Sequence, residues 1–266
     1  MFISCVVRNI CIIRKNKSKL GVGKKMKHAG TVAFLVTIIG AGCVALMLFG
    51  ARLGLWEPIT GFGLYRNYFN ILGFIVAGVG LAALVIHSIR REKSKAILGG
   101  IAMVFGLVCL GPTVASMLNP PVRGAPIHNI STDTVNPPEF LVLDENRAGA
   151  SNPLEYGGPE LAAAQAAAYP DIGPLETDLS ADAAYQRALI VAQGMGWDIV
   201  AADADNFRFE ATARTSVFYF ADDIVVVVTP EDDGSRIDMR SVSRVGRSDQ
   251  GVNAARIRTF QQQFEG

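Results

Sequence analysis

Asp238-Met-Arg-Ser-Val-Ser-Arg-Val-Gly-Arg-Ser-Asp-Gln-Gly-Val-Asn-Ala-Ala-Arg-Ile-Arg258 is the stretch whose reading decides the fold of the water-soluble part of this 266-residue chain. Alternation through its first residues predicts a strand. Gly246 and Gly251 bracket a tight turn, and the small and apolar residues beyond Gly251 open a helix. Successive side chains of a strand point to opposite faces. Ile237, Met239, Ser241, Ser243 and Val245 therefore form one face, small and apolar enough to lie beneath a helix. Asp238, Arg240, Val242 and Arg244 form the other, which looks outward or meets acids of a neighbouring strand. Ser248 or Asp249 can cap the closing helix, on which Asn253, Ile257, Phe260 and Phe264 share a side.

Working outward, Asp222–Thr229 holds Ile224 followed by four valines, a strongly β-prone run. Glu231–Ser235 reads as the hairpin turn into Arg236–Val245. Phe207–Thr215 and Trp197–Ala202 each alternate as strands around a turn at Asp203–Asn206. Ser180 is an N-cap signal, and Ala184, Ala188, Val191 and Met195 repeat at helical spacing until Gly194 and Gly196 end the run. Helix, four antiparallel strands and helix predict a two-layer α+β domain with a four-stranded antiparallel sheet.

Nine of the twelve prolines fall between Pro120 and Pro174. Proline removes a backbone donor and resists helix. An extended segment is therefore expected to lie on the outer domain, pinned by Ile127, Ile130, Val135 and Phe140. A short alanine-rich helix is expected over Glu160–Tyr169.

The first 118 residues are of another kind. Thr31–Gly50, Phe69–Ile89 and Ala96–Leu118 are each about twenty residues long and nearly free of charge, the length needed to cross roughly 30 Å of hydrocarbon. Residues 1–118 carry fourteen Lys or Arg against Glu57 and Glu92, whereas residues 119–266 carry eleven Arg against twenty-two acids. Such asymmetry indicates two environments rather than a nucleic-acid binder. The cations cluster before the first apolar run and at Arg90-Arg-Glu-Lys-Ser-Lys95. Positive residues stay on the cytoplasmic side, so a cytoplasmic amino end and an outward carboxyl half are expected. In a Gram-negative cell this is an inner-membrane protein with a periplasmic domain. The loop Ala51–Tyr68 carries Trp56, Tyr65 and Tyr68, which favour the membrane interface. Recurrent glycines allow close helix packing in lipid. No Asp, Glu, Lys or Arg interrupts the apolar runs, and His87 sits near an end, so an anchor is favoured over a transport path.

The chain thus divides into a basic cytoplasmic tail (1–30), a three-helix anchor (31–118), a proline-rich segment (119–178) and an α+β core (179–266). Met26 is a candidate initiation site, since Met26-Lys-His-Ala is an ordinary lead-in to the first helix. Cys5, Cys11, Cys43 and Cys109 all precede the outer domain. No disulfide scaffold or thiol nucleophile is therefore expected there.

Arg240 to Arg258 resembles the signature of the domain-of-unknown-function family numbered 1499. Pro126-Ile-His-Asn-Ile-Ser-Thr-Asp133, Asn136-Pro-Pro-Glu-Phe140, Tyr169-Pro-Asp-Ile172, Gly196-Trp197 and Phe220-Ala-Asp-Asp223 agree with it. The resemblance covers roughly residues 125–264. Asn129 and Gln250 depart from the commoner Asp and Leu of that family. The preceding helices resemble its proteobacterial members. The resemblance implies no established activity.

Three functional readings stand side by side. Arg240, Arg244, Arg247 and Arg256, with Ser248 and the helix amino end, can form an anion site, because guanidinium forks and backbone N–H groups suit carboxylate or phosphate. Alternatively Arg240 and Arg244 pair with Asp222, Asp223 or Glu210 across the sheet, Asp249 caps the helix and Asn253 satisfies the turn backbone. An enzyme would have to use Asp222, Asp223 or Asp249 as acid or base, with no paired nucleophile in view. The third and leading reading is an interaction module held at the membrane, with an envelope protein or a small anionic ligand as partner. His128 is the one histidine after residue 118 and is better read as a hydrogen-bonded residue than as a metal ligand. Neither a metal nor a cofactor is expected.

Overall fold

A computed structural model describes residues 26–120 and 125–266. Residues 1–25, which make up most of the basic tail, lie outside the described residues. The remainder divides into a unit of apolar helices and a unit of mixed sheet and helix.

Three helices, α1 (Ala29–Phe49), α2 (Pro58–Ile89) and α3 (Lys93–Leu118), are long and apolar enough to cross a membrane. The second begins earlier than its apolar run, so Tyr65, Arg66 and Tyr68 lie on the helix and only Trp56 keeps its place in the loop. Pro58 accounts for the early start, because its fixed φ suits a first helical turn. Packing of α2 on α3 is backbone to backbone: a Cβ at Gly80, Gly99 or Gly106 would strike main-chain atoms of the facing helix. Small residues at these points let the helices approach. His87 is fully buried and accepts the Gly30 N–H through Nε2 at 2.9 Å, while Nδ1 lies 2.9 Å from Glu92 Oε2. The imidazole thereby satisfies one of the amide donors that the start of α1 leaves open.

The second unit is built on a six-stranded antiparallel sheet: β1 (Asn129–Ser131), β2 (Leu175–Thr177), β3 (Asp198–Asp203), β4 (Arg208–Arg214), β5 (Ala221–Glu231) and β6 (Gly234–Ser243). The four long strands follow the expected order β3-β4-β5-β6. Two further strands come from the proline-rich segment and pair along the outer edge of β6, β1 against Arg240–Val242 and β2 against Ser235–Ile237. The expected four-stranded sheet is thus six-stranded. A bare β6 edge would present a row of unpaired backbone groups, which these two strands cover. At the β5–β6 turn Gly234 has φ +150°, and a Cβ there would collide with the Thr177 carbonyl of β2.

Three helices complete the unit: α4 (Gly158–Ala168), α5 (Ala181–Gly194) and α6 (Val252–Glu265). Ser180 caps α5, its hydroxyl accepting the Ala183 N–H at 3.4 Å. Tyr185, Ala188 and Val191 of α5 and Ile257, Phe260 and Phe264 of α6 join Phe209, Ile224, Val226, Ile237 and Met239 of the sheet in one core. Trp197 stacks on Phe260, ring centres 5.5 Å apart. The opposite face of the sheet is covered by the loop 132–157. The buried Glu210 carboxylate gathers the N–H groups of Leu141, Val142 and Leu143 at distances down to 2.5 Å, which fastens that loop to β4. Ile127 and Ile130 are buried anchors as expected, but Val135 is 83 % exposed. The Asp133 carboxylate accepts the N–H groups of Val135 and Asn136, each at 2.8 Å, and the resulting turn carries the valine out into solvent.

Candidate functional site

The strand–turn–helix of Asp238–Arg258 separates its polar residues onto the two faces of the sheet. On the helix face, Arg256 of α6 pairs with the buried Asp222 of β5 and donates to Ser241 Oγ at 2.9 Å and to Asn253 Oδ1. Asn253 is fully buried and saturated. Its Oδ1 also accepts from Ser241 Oγ at 2.7 Å, and its Nδ2 donates to the His128 carbonyl at 3.0 Å and to Ser243 Oγ at 2.9 Å. Asp249 accepts the N–H groups of Gly251 and Asn253 at 2.9 and 2.7 Å, so it serves the open amides at the start of α6. Gly251, at φ +85°, makes the turn into that helix. Burial pushes the Asp249 carboxyl above its usual value despite these bonds. Ser248 donates to the Ala125 carbonyl at 2.8 Å, and Arg247 is exposed. The half-buried His128 ring is bonded to the Arg247 backbone, and burial lowers its pKa.

On the loop face, Arg244 and Arg147 converge on Asp223. The Asp223 carboxylate, 0 % exposed, receives Arg147 Nε at 2.7 Å, Arg244 Nη2 at 2.8 Å and the Thr212 hydroxyl at 2.9 Å. Arg147 also donates to the Asn152 carbonyl at 2.7 Å, and Arg244 to the Ala148 carbonyl at 2.9 Å. Two guanidiniums thus share one buried carboxylate and tie the loop to the sheet. Arg147 was not singled out from the sequence. It lies in a polar loop with no periodicity, and its partner is 76 residues away.

Arg240 differs. It is 2 % exposed, yet its guanidinium meets neutral oxygens: Asn129 Oδ1 at 2.9 Å, the Pro138 carbonyl at 3.2 Å and the Leu154 carbonyl. Among the described residues no carboxylate forms an ion pair with it. The rings of Phe140 and Tyr156 lie near the guanidinium, their centres 5.5 and 5.4 Å from its carbon. Burial pushes its pKa down to about 10, which still leaves it charged at neutral pH. Arg240 lines a cavity of about 650 Å³ together with Phe140, Leu154, Tyr156, Glu139 and Glu155. The Tyr156 hydroxyl is buried with no hydrogen-bond partner among the described residues. Burying a charge among neutral groups is costly. An unpaired hydroxyl beside it is a donor and acceptor left open.

The expected cluster of Arg240, Arg244, Arg247 and Arg256 is therefore not one site. Arg256 and Arg244 are braces on opposite faces of the sheet, Arg247 is exposed, and Arg240 alone of the four lines this cavity. Asp222 and Asp223 are each bound to arginine.

Fold and site together define a protein with three apolar membrane-length helices and an α+β domain carrying a charged cavity. The chain belongs to the family described as Protein of unknown function (DUF1499), which matches residues 129–264. No curated protein matches the chain.

Proposed function

We propose that this protein is a membrane-anchored binding domain of the cell envelope, and that its site is the Arg240 cavity, which takes the anionic group of a small ligand. One observation carries the reading: a buried guanidinium with only neutral partners lines a concave cavity of about 650 Å³. An entering carboxylate or phosphate would supply the missing countercharge through charge-assisted hydrogen bonds. The volume falls within the range of small-molecule sites, roughly 300–1,000 Å³. The distribution of cations along the apolar half supports an inner-membrane location with the domain outside the cytoplasm.

The test is a titration of the full chain in detergent with glutarate, 3-phenylpropionate and inorganic phosphate, followed by calorimetry and thermal shift. Saturable binding of at least one, lost in Arg240→Met, is expected. Failure of all three, and of phenylalanine and glutamate beside them, to bind would refute the anion site.

A protein partner is favoured by a separate observation. Leu141 and Val142 are 65 % and 58 % exposed on the loop that Glu210 fastens, and Val135 stands near them in sequence. Crosslinking of the intact membrane protein tests this reading, and enrichment of no envelope protein would count against it.

A further inference from the structure

The cavity that holds Arg240 is acidic at its rim. Glu139 and Glu155 line it with exposed side chains, and Glu139 lies close enough to favour the charged form of Arg240. The other acid of the lining, Glu145, is already engaged: one oxygen accepts the Leu154 N–H at 2.8 Å and the other lies 3.3 Å from Arg147 Nη1. Glu139 and Glu155 are held instead by their backbones. The Glu139 carbonyl accepts from Arg208 at 2.5 Å, and the Glu155 carbonyl accepts from Asn129 Nδ2 at 3.4 Å. The carbonyl of each residue is thus pinned while its carboxylate stays at the mouth.

A plain anion approaching this mouth meets two carboxylates before it reaches the guanidinium. A plain cation is held at the rim and repelled by the floor. A molecule carrying both charges turns each repulsion into an attraction, and discrimination by built-in repulsion is a common route to specificity. We infer that the ligand is a zwitterion of the amino-acid class, its carboxylate taken by Arg240 and the Tyr156 hydroxyl and its ammonium by Glu139 and Glu155. This rests on the anion-site reading and adds the second charge to it.

The experiment uses the full chain in detergent and calorimetry with matched probes: phenylalanine, glutamate and alanine, each beside its des-amino acid (3-phenylpropionate, glutarate, propionate), and phenethylamine as the amine alone. At least one amino acid is expected to bind tenfold or more tightly than its des-amino acid, and phenethylamine tenfold or more weakly than phenylalanine. The double change Glu139→Gln, Glu155→Gln is expected to erase the advantage of the amino acid without weakening the des-amino acid. Both side chains are exposed, so folding is not at risk; a melting temperature equal to wild type verifies it. Des-amino acids that bind as well as every amino acid overturn the zwitterion and leave the anion site standing. Absence of binding by every carboxylate overturns both. Phenethylamine binding as tightly as phenylalanine overturns the role of Arg240 as the ligand's counterion.

Discussion

Arg240 on β6 and Arg244, one residue past the end of that strand, lie four residues apart beneath the same covering loop, and their surroundings are opposite. Arg244 reaches Asp223 and shares it with Arg147, so that charge on the sheet is met by charge. Arg240 lies beside Val225 in the β5–β6 register and is left with an amide and two carbonyls. In that register Asp223 faces Val242, one step diagonal from each arginine, so cross-strand pairing offers the same carboxylate to both. Strand pattern and register leave the two arginines equivalent, and the covering loop separates them: its Arg147 shares Asp223 with Arg244, while its Pro138 and Leu154 carbonyls take Arg240.

The comparison breaks most visibly at Asp223. Asp223→Ala leaves Arg244 without a carboxylate and Arg147 with only the exposed Glu145, although the two side chains are 12 % and 3 % exposed. Removing one partner of a buried pair costs about 3–5 kcal/mol, and a loss in that range is expected in denaturant unfolding of the full chain followed by tryptophan fluorescence. A loss below about 1 kcal/mol, the level of an exposed pair, would remove the distinction between brace and site.

Arg256→Met tests the same distinction on the helix face. It strands Asp222 and removes a donor from Ser241 and Asn253, with an expected cost near 3 kcal/mol. Ligand affinity measured calorimetrically on the folded variant is expected to stay at the wild-type value, because Arg256 is on the other face of the sheet.

The smallest effect concerns the turn that leads toward the cavity. N–H bonds from Asn136 and Val135, with Arg236 beside them, hold the Asp133 carboxyl below its usual 3.8. A carboxyl whose folded pKa is depressed stabilises the fold above the unfolded value, and that contribution is lost as pH falls through the folded pKa. The difference in melting temperature between wild type and Asp133→Asn is therefore expected at neutral pH and should close as pH drops below about 3.8. A difference that persists unchanged into that acid range would remove the carboxylate from the account.

The long elements were legible because their patterns are long. The alternation of β4 and β6 and the helical repeat of α5 each state which face meets the core, and the valine run of β5 states only a strand, which the structure buries on both faces. The division of β6 into a serine-bearing face under α6 and an arginine-bearing face away from it also followed from period two. The strands β1 and β2 were not legible, because three residues are too few to show alternation. The site was half legible. Arg240 could be named but not told apart from Arg244, and Tyr156 lay in a stretch with no periodic signal. Its open hydroxyl is a fact of tertiary packing, as is the pairing of Arg147 with an aspartate 76 residues on.

Asn129→Asp tests the central claim most directly, because it sets a carboxylate beside Arg240 and gives up only the 3.4 Å bond from Asn129 Nδ2 to the Glu155 carbonyl. Asn129 Oδ1 lies 2.9 Å from Arg240 Nε, and an aspartate there gives the guanidinium the carboxylate it lacks. The variant is expected to melt at or above the wild-type temperature, since a charge-assisted bond replaces a neutral one, and to bind the tightest of the matched probes at least tenfold more weakly. A stably folded Asn129→Asp protein that binds that probe as tightly as wild type would contradict the assignment of Arg240 as the ligand's counterion.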